Sequence, residues 1–200
     1  MTHKKYKKGG DPPKIAFYGD YIWDPLFGQY WTEGKHKSWP SLDVRNLDKL
    51  DDNVAERIYK ELDGGSDFNL MLAHVIGVDS AGHTYDSMSS EIERKLLDSE
   101  KIIKTIVDKM DDKTTLVVFG DHGMTYDGNH GGSSLLEMRT VLFSHQKTPF
   151  PMYKKYNKLS HSFEDMDKTI KQVDLAAILA MLLDVPFPFS NLGIFHPLFA

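Results

Sequence analysis

The sequence predicts an α/β fold built on a mostly parallel sheet with helices on both faces. Three short apolar segments, at 14–20, 68–78 and 114–119, alternate with two longer segments of helical periodicity, at 52–62 and 90–110. Strand, helix, strand, helix, strand is the order typical of a parallel sheet covered by helices. With 200 residues and 40% hydrophobic content the chain can bury a substantial core, and this length favours one domain over two.

The first strand is predicted over Lys14–Asp20, where a short apolar run ends in a turn. Residues 1–13, with their basic opening followed by glycine and proline, are predicted to form a flexible tail, which leaves 14–200 as the folded domain. Residues 21–50 contain all three tryptophans and show no clear periodicity. This composition indicates packed irregular structure rather than a linker.

A helix and then a buried strand are predicted next. Val54, Ile58 and Leu62 recur every four residues, which places them on one face of a helix. The run 68–78 is almost continuously apolar, as expected for a strand that is covered on both faces. This strand is expected to end immediately before Asp79.

The second long helix is predicted to begin at a capping box formed by Ser90 and Glu93. The apolar segment 114–119 then gives a third strand, which leads directly to Asp121 and His122. Together these elements continue the strand and helix alternation.

The remainder of the chain is predicted with less regular structure. Another strand is expected at 139–144, and the polar segment 147–170 is expected to be a loop or an insertion. A last helix at Val173–Leu183 is predicted to stop before Pro186, because a proline disfavours helical backbone in the residue that precedes it.

Charge and composition exclude several classes of protein. The net charge is -5, from 24 basic and 29 acidic residues that are well mixed, so no broad cationic face for nucleic acid is expected. Cysteine is absent, so any metal must be bound through nitrogen and oxygen. The sequence has neither an apolar run of about 18 residues nor the apolar core of a signal peptide, so we expect that the chain as written neither crosses a membrane nor enters a secretory pathway by itself.

Asp79 and His83 form the first of three motifs that carry metal-ligand side chains. They are four residues apart, so a helical turn after the strand would bring both side chains to one side. Gly82, which precedes His83, would let another backbone approach closely or would adopt a positive φ angle. This pair is weak evidence when it is taken alone.

The other two motifs follow the strand at 114–119. Asp121 and His122 come directly after it, and Gly120 and Gly123 supply a turn that redirects their side chains. His130 lies in a glycine-bracketed loop eight residues after His122, within reach of the same sheet edge. Ligands of parallel sheets gather at the carboxyl ends of the strands, so we expect all three motifs to meet there.

Two carboxylates and three imidazoles suit a divalent ion of zinc type. Their number exceeds what one catalytic ion usually takes from a protein, so the sequence predicts most of a two-metal site, of the kind that clamps the attacking and leaving oxygens in phosphoryl transfer. Asn129 and Glu137 are candidate partners that orient a ligand. For Glu137, an ordinary surface acid on a helix is an equally good interpretation.

A nucleophile for such a site is not evident in the sequence. Asp20 follows a strand, but none of the next hydroxyl side chains is at a tight turn between a strand and a helix. These side chains are Thr32, Ser38 and Ser41. Ser133 and Ser134 follow the His130 loop, where a hydroxyl could cap a helix as plausibly as react.

Several longer segments resemble those of one enzyme family. They are His74–His83, the Asp121 and His130 motifs, Tyr18–Asp20 with Trp23 and Leu26–Phe27, Asp43–Asp48, Gln172–Leu175 and Val185–Gly193. In these segments the chain resembles the C-terminal part of the luminal catalytic domain of the GPI ethanolamine phosphate transferases, within the alkaline phosphatase superfamily. The third transferase of that family is the most similar in appearance.

The resemblance implies an alkaline-phosphatase-like domain whose N-terminal part is missing here. It implies that Asp79, His83 and His130 bind one zinc ion and that Asp121 and His122 bind a second. The family's second ion also takes an Asp and the Thr nucleophile from a segment that precedes the matched part. We therefore expect one well-bound ion, a weaker second ion, and the missing part of the domain as a partner.

The resemblance also implies a reaction and a location. Phosphoethanolamine would pass from phosphatidylethanolamine to a mannose of the GPI glycan, through a phosphorylated Thr, at the luminal side of the endoplasmic reticulum membrane. Two other interpretations remain open from the residues. One is a non-catalytic metal-binding remnant, and the other is a soluble metal-dependent phosphodiesterase.

Overall fold

The structure, a computed structural model, describes residues 11–41, 46–148, 169–196 and 199. The chain divides into two compact units, one of Pro13–His145 and one that combines Met1–Pro12 with Gln146–Ala200. The predicted tail at 1–13 and the predicted polar loop at 147–170 fall largely outside the described residues. Of the family-like segment Asp43–Asp48, residues 43–45 also fall outside them.

The larger unit is built around a parallel sheet of three strands. Strand β1, Ile15–Asp20, lies in the middle, between β2, His36–Trp39, and β3, Leu70–Ala73, and pairs with both in parallel. All six residues of β1 are buried. The predicted first strand and the predicted parallel sheet are therefore confirmed.

Side chains on the two faces of β1 pack against different layers. Ala16 and Tyr18 belong to the main hydrophobic cluster, whereas Phe17, on the opposite face, stacks on Trp31 with ring centroids 4.8 Å apart. The opposite layer consists of short helical turns, Tyr21–Trp23 and Gly28–Tyr30, on either side of helix α1. The sheet thus has helical structure on both faces, as predicted.

Helix α1 is Asp24–Phe27, and the two long helices of this unit are α2, Lys49–Asp63, and α4, Ser90–Lys109. The main hydrophobic cluster lies between them and the sheet. It contains Ala16, Tyr18, Leu50, Val54, Ile58, Leu62, Ile106 and Met110. The apolar spacing that predicted α2 therefore marks its buried face.

The segment after Phe68 is only partly a strand. Pairing in β3 ends at Ala73, and helix α3, Gly77–Tyr85, begins four residues later. Asp79 is therefore in the first turn of a helix and not at the end of a strand, which corrects the predicted boundary. A short apolar run does not distinguish a strand from a buried helical turn.

The start of α4 also differs in detail from the prediction. Ser89 caps this helix, because its side-chain oxygen accepts a hydrogen bond from the amide of Ile92. The predicted capping residue, Ser90, is the first residue of the helix. Lys95 is buried, like Ile106 on the same side of α4, whereas Leu96 is 53% exposed.

The third predicted strand forms a separate pair in the described part of the chain. Strand β4, Leu116–Phe119, pairs antiparallel with β5, Leu142–His145. The strand expected at 139–144 is therefore present, but it begins three residues later and ends one residue later than predicted. Between them lies only the short helix α5, Leu135–Met138. The segment 120–141 reverses the direction of the chain, so β5 runs antiparallel to β4.

The smaller unit contains helix α6, Asp174–Leu182, which confirms the helix predicted near the C-terminus. The buried carboxylate of Asp174 accepts hydrogen bonds from the amides of Lys171 and Ile194. It therefore fastens the segment after the helix to the start of the helix. Within the described ranges, no helix combines the length and the apolar character needed to cross a bilayer.

Candidate metal centre

Helix α3 presents Asp79 and His83 on the same side. The two side chains are one helical turn apart, and Asp79 Oδ1 lies 3.5 Å from His83 Nε2. The helical turn that would bring these side chains together is therefore present.

The loop that carries His130 packs closely against α3 through glycine. A side chain on Gly82 would place its Cβ 2.1 Å from Met124 Sδ, and a side chain on Gly128 would place its Cβ 2.1 Å from the Gly82 carbonyl oxygen. Gly128 also has a φ of +80°. The close backbone approach predicted at Gly82 is present, but Gly128 makes it possible, whereas the space at Gly82 admits the Met124 side chain. This packing brings the loop of His130 to the side of His83.

Asp79, His83 and His130, which we call the first ligand group, converge through three ligand atoms. His83 Nε2 and His130 Nε2 are 3.0 Å apart, and Asp79 Oδ1 lies 3.2 Å from His130 Nε2. With the 3.5 Å separation within α3, all three distances are close to the edge of a tetrahedron around zinc. Ligands about 2.0–2.1 Å from a tetrahedral ion lie about 3.3–3.4 Å from one another.

Asp79 Oδ1 is the atom in this group that most needs a partner. It is buried and receives no hydrogen bond, although a buried carboxylate oxygen without a hydrogen bond is costly. The nearest ring nitrogens, on His83 and His130, are placed as fellow ligands. A divalent cation between the three atoms would satisfy the oxygen, so the residues fit a metal ion.

Asp121 and His122, which we call the second ligand group, lie on the turn after β4. Asp121 Oδ2 is 3.5 Å from His122 Nε2, and His122 Nδ1 is 3.0 Å from the Gly123 carbonyl oxygen. A carbonyl accepts only from a protonated Nδ1, and in the neutral imidazole with that tautomer Nε2 carries the lone pair that can bind a metal. The Asp121 side chain is 72% exposed.

The two ligand groups are adjacent. The rings of His122 and His130 stack with centroids 3.8 Å apart. Ligand atoms of Asp79, His122 and His130 all lie within 4.8 Å of one another. The structure thus brings all five predicted ligands to one place.

The turn that carries the second ligand group packs tightly on the chain around α5. A Cβ on Gly120 would lie 2.1 Å from Thr140 Oγ1, and one on Gly123 would lie 2.0 Å from the Leu136 carbonyl oxygen. The Gly123 amide also donates a hydrogen bond to the Glu137 carbonyl oxygen. These two glycines therefore serve close packing at the turn.

Glu137 and Asn129 stabilise the loop around His130. The Glu137 carboxylate accepts hydrogen bonds from the amide of Gly132 at 2.8 Å and from the hydroxyl of Ser134 at 2.5 Å. These bonds lower the pKa of Glu137, the Ser134 hydroxyl contributing most. The Asn129 side chain donates to Asp127. Both residues therefore bind the chain on either side of His130.

Hydroxyl groups close to the ligands in sequence make structural hydrogen bonds. Ser134 caps α5, as one of the two interpretations of this residue expected. Thr84 donates to the carbonyl of Ser80, and Thr125 donates to Asp127. Each of these hydrogen bonds joins residues two to four apart in the chain, as in a helix cap or a local turn.

Asp51 and Lys95 were not identified from the sequence as residues that bear on the site. Lys95 Nζ lies 2.8 Å from Asp51 Oδ2, and both side chains are buried. Burial by itself lowers the pKa of Lys95, but the hydrogen bonds and charges of Asp51 and Asp48 raise it overall. Lys95 lies three residues after Ile92, on the apolar side of α4, and this spacing is the signal that could have indicated its burial.

Comparison with known proteins agrees with the fold. The family model for type I phosphodiesterase / nucleotide pyrophosphatase matches residues 16–139, more than half of the chain. A phosphoglycerate mutase from Leishmania mexicana, crystallised at low cobalt concentration, has a TM-score of 0.57 with 14% sequence identity. That alignment covers 90% of this chain and 36% of the mutase chain, and at this identity it shows the fold alone.

Curated relatives include several GPI ethanolamine phosphate transferases. The catalytic subunit of GPI ethanolamine phosphate transferase 3 from Homo sapiens is 36% identical over 181 residues, which is 90% of this chain and 16% of that protein. The transferase 3 of Saccharomyces cerevisiae is 33% identical, over 90% of this chain and 18% of that protein. A transferase 2 from Eremothecium gossypii is 33% identical, over 91% of this chain and 23% of that protein.

The chain therefore spans between 16% and 23% of the length of these relatives. The matches include the segments that carry all five ligands, and the resemblance expected from the sequence is confirmed. The chain belongs to the type I phosphodiesterase / nucleotide pyrophosphatase family.

Proposed function

We propose that this chain is the ligand-bearing part of a zinc-dependent transferase that moves phosphoethanolamine from phosphatidylethanolamine to a mannose of the GPI-anchor precursor. The observation that carries the proposal is the convergence of Asp79 Oδ1, His83 Nε2 and His130 Nε2 at 3.0–3.5 Å. The similarity to GPI ethanolamine phosphate transferases supports the choice of reaction.

Each ligand group has its own task in this proposal. Asp79, His83 and His130 hold one zinc ion, and Asp121 with His122 contribute two ligands to a second. Zinc ions at such a pair of sites stabilise the negative charge that develops on the attacking and leaving oxygens of a phosphoryl group. The protein's task is to hold the five side chains in place, and the second site is complete only with ligands from outside the described residues.

The proposal places the reaction at the luminal side of the endoplasmic reticulum membrane, where the donor lipid and the glycan acceptor meet. The nucleophile in this proposal is a Thr that belongs to the rest of the catalytic domain, together with the Asp that completes the second site. That part of the domain is accordingly a proposed partner of the residues described above. Residues 1–13 are proposed to lie outside the folded domain as a tail.

Metal binding is tested first, by isothermal titration of Zn²⁺ into the chain together with elemental analysis of the dialysed complex. We expect about one tightly bound ion per chain, with a second that binds much more weakly, because the two groups offer three and two ligands. If zinc fails to bind, or if it binds equally well when Asp79 and His130 are replaced by alanine, the proposal is wrong.

The reaction is tested in a chimera. The matching segment of a GPI ethanolamine phosphate transferase 3 is replaced by this chain, and the chimera is expressed in cells that lack their own enzyme. We expect restored transfer of phosphoethanolamine to the GPI precursor, its loss in the His122→Ala chimera, and its retention in the matched control His36→Ala. A well-expressed chimera that is as inactive as His122→Ala would refute the proposal.

A second candidate reaction is the hydrolysis of a phosphodiester, which is favoured by the description of the matching family. Its test is the zinc-dependent hydrolysis of bis(p-nitrophenyl) phosphate by the isolated chain. A rate that disappears in His122→Ala would support hydrolysis, and the absence of any metal-dependent rate would exclude this candidate for the chain alone.

A further inference from the structure

We propose that Asp51 and Lys95 are positioning residues that fix the amino end of α3 and thereby hold Asp79 and His83 in register with His130. This inference rests on the metal centre proposed above, and it assigns a role to a buried ion pair that supplies no ligand itself. The argument follows from the contacts of the two side chains with each other and with the start of α3.

Asp51 binds the amino end of α3 directly. Its Oδ1 accepts hydrogen bonds from the amides of Ile76 at 3.1 Å and Gly77 at 3.2 Å. These amides are at a helix amino end, where the backbone donors have no partner within the helix. A carboxylate there also interacts favourably with the helix dipole. Asp51 is 3% exposed, so this attachment lies within the protein.

Lys95 holds the other oxygen of the same carboxylate. Its Nζ lies 2.8 Å from Asp51 Oδ2 and 3.2 Å from Asp48 Oδ1, and the residue is 1% exposed. A buried ion pair is often no more stabilising than apolar side chains of similar size. What it adds here is direction, because α4 fixes Oδ2 and so aims Oδ1 at α3.

Gly77 makes this arrangement possible. A Cβ at this position would lie 2.1 Å from Lys95 Cε and 2.2 Å from Asp51 Oδ2. The glycine therefore lets both charged groups reach the first turn of α3. The ion pair and the start of the helix are built as one unit.

The register of α3 decides whether the first ligand group can form. Asp79 follows Gly77 by two residues and His83 follows it by six, on one continuous helix. Displacing this helix along its axis by one residue moves every ligand on it by about 1.5 Å. Such a shift is half of the 3.0 Å that separates His83 Nε2 from His130 Nε2, so loss of the anchor should loosen the ligand group.

The variants that test this role are Lys95→Met and Asp51→Asn, in the full chain. The matched control is Lys101→Met, on the same helix, because the Lys101 side chain is 76% exposed and pairs with Asp98 at the surface. The measurements are the affinity for Co²⁺, the visible spectrum of the bound ion, and the urea unfolding curve of each variant.

We expect both variants to bind Co²⁺ about tenfold more weakly than the unmodified chain, as for other partners that orient metal ligands. Their visible spectra should change as the ligand geometry relaxes, and Lys101→Met should match the unmodified chain in both. If the folded variants bind Co²⁺ with unchanged affinity and spectrum and only their unfolding midpoint falls, the pair is merely structural and the proposal is wrong.

A measurement on the unmodified, metal-free chain covers the case in which a variant does not fold. Amide hydrogen exchange should show protection of Ile76 and Gly77, whereas unpaired amides at a helix amino end exchange rapidly. Rapid exchange of both amides would overturn the positioning role. Failure of the unmodified chain to bind Co²⁺ would instead overturn the metal centre, so the two failures are distinguishable.

Discussion

The two ligand groups differ in how the chain holds them. In the first group, one turn of α3 supplies Asp79 and His83, and a loop packed on Gly82 supplies His130. In the second group, Asp121 and His122 are neighbours on a single turn, and the Asp121 side chain is 72% exposed. Ligands from two packed segments are pre-organised before a metal binds, whereas two adjacent residues on one turn need further ligands to define a site.

The largest loss of zinc affinity is expected when a ligand of the first group is removed. His130→Ala should weaken zinc binding by at least about 100-fold, since even the partners of metal ligands commonly contribute about 10- to 100-fold. Isothermal titration measures the effect, and His36→Ala, on the exposed part of β2, is the control. A His130→Ala chain that binds zinc like the control would show that the group is not a metal site.

The close approach of the two segments is tested at Gly128. In Gly128→Ala the new Cβ would meet the Gly82 carbonyl oxygen at 2.1 Å, at a φ of +80° that side chains rarely adopt, so the loop should move away from α3 and zinc affinity should fall about tenfold. Gly28→Ala is a fair control, because its nearest neighbour would lie 3.9 Å away. Equal affinities in these two variants would mean that the packing at Gly128 does not organise the ligands.

The anchor of the His130 loop is tested at Glu137. Hydrogen bonds from Ser134 and Gly132 lower its pKa in the folded chain. The stabilisation of the loop is therefore present above the ordinary pKa of a glutamate, about 4.3, and is lost as the pH falls through the lower folded value. The Gly132 amide resonance should move in that acidic range in the unmodified chain and stay constant in Glu137→Gln.

Glu137→Gln should also bind zinc a few-fold more weakly at neutral pH, on the order of the smaller effects of side chains that orient ligands. Glu100→Gln is the control, because Glu100 pairs with Lys104 on the surface of α4. If the Gly132 resonance shifts equally in the Glu137→Gln chain, the carboxylate does not anchor the loop.

The smallest effect on the first ion is expected from His122→Phe, which keeps a ring that can stack on His130 but removes the nitrogen. The affinity for the first ion should stay within about threefold, because His122 supplies no ligand to it. The second, weaker binding step, which we assign to the ion at Asp121 and His122, should disappear from the titration. A loss as large as that of His130→Ala would assign the first ion to Asp79, His122 and His130 instead.

Sequence reasoning predicts the parts of the fold that depend on local pattern. The buried face of α2, the strand β1 and the helix α6 follow from apolar spacing and from Pro186. The five ligands are predicted because their residue types carry metal chemistry and because Asp79, Asp121 and His122 follow apolar runs. Each of these features depends on a sequence pattern that is only a few residues long.

Features that depend on distant contacts could not be predicted in this way. Strand β2 has the polar sequence HKSW and lies at the edge of the sheet, so it shows no apolar alternation. The boundary between β3 and α3 is set in part by Asp51, which is 25 residues away from Ile76 in the chain. The ion-pair partner of Lys95, Asp51, lies on α2, so no spacing within α4 identifies it.

Anomalous diffraction at the zinc edge from crystals of the chain grown with Zn²⁺ tests the central claim most directly. The account predicts a strong peak about 2.0–2.2 Å from Asp79 Oδ1, His83 Nε2 and His130 Nε2, with at most a weaker peak beside Asp121 and His122. Two results would contradict the account. One is the absence of a peak between the three atoms of the first ligand group, and the other is a peak at ligand distance from Asp79, His122 and His130 but not from His83.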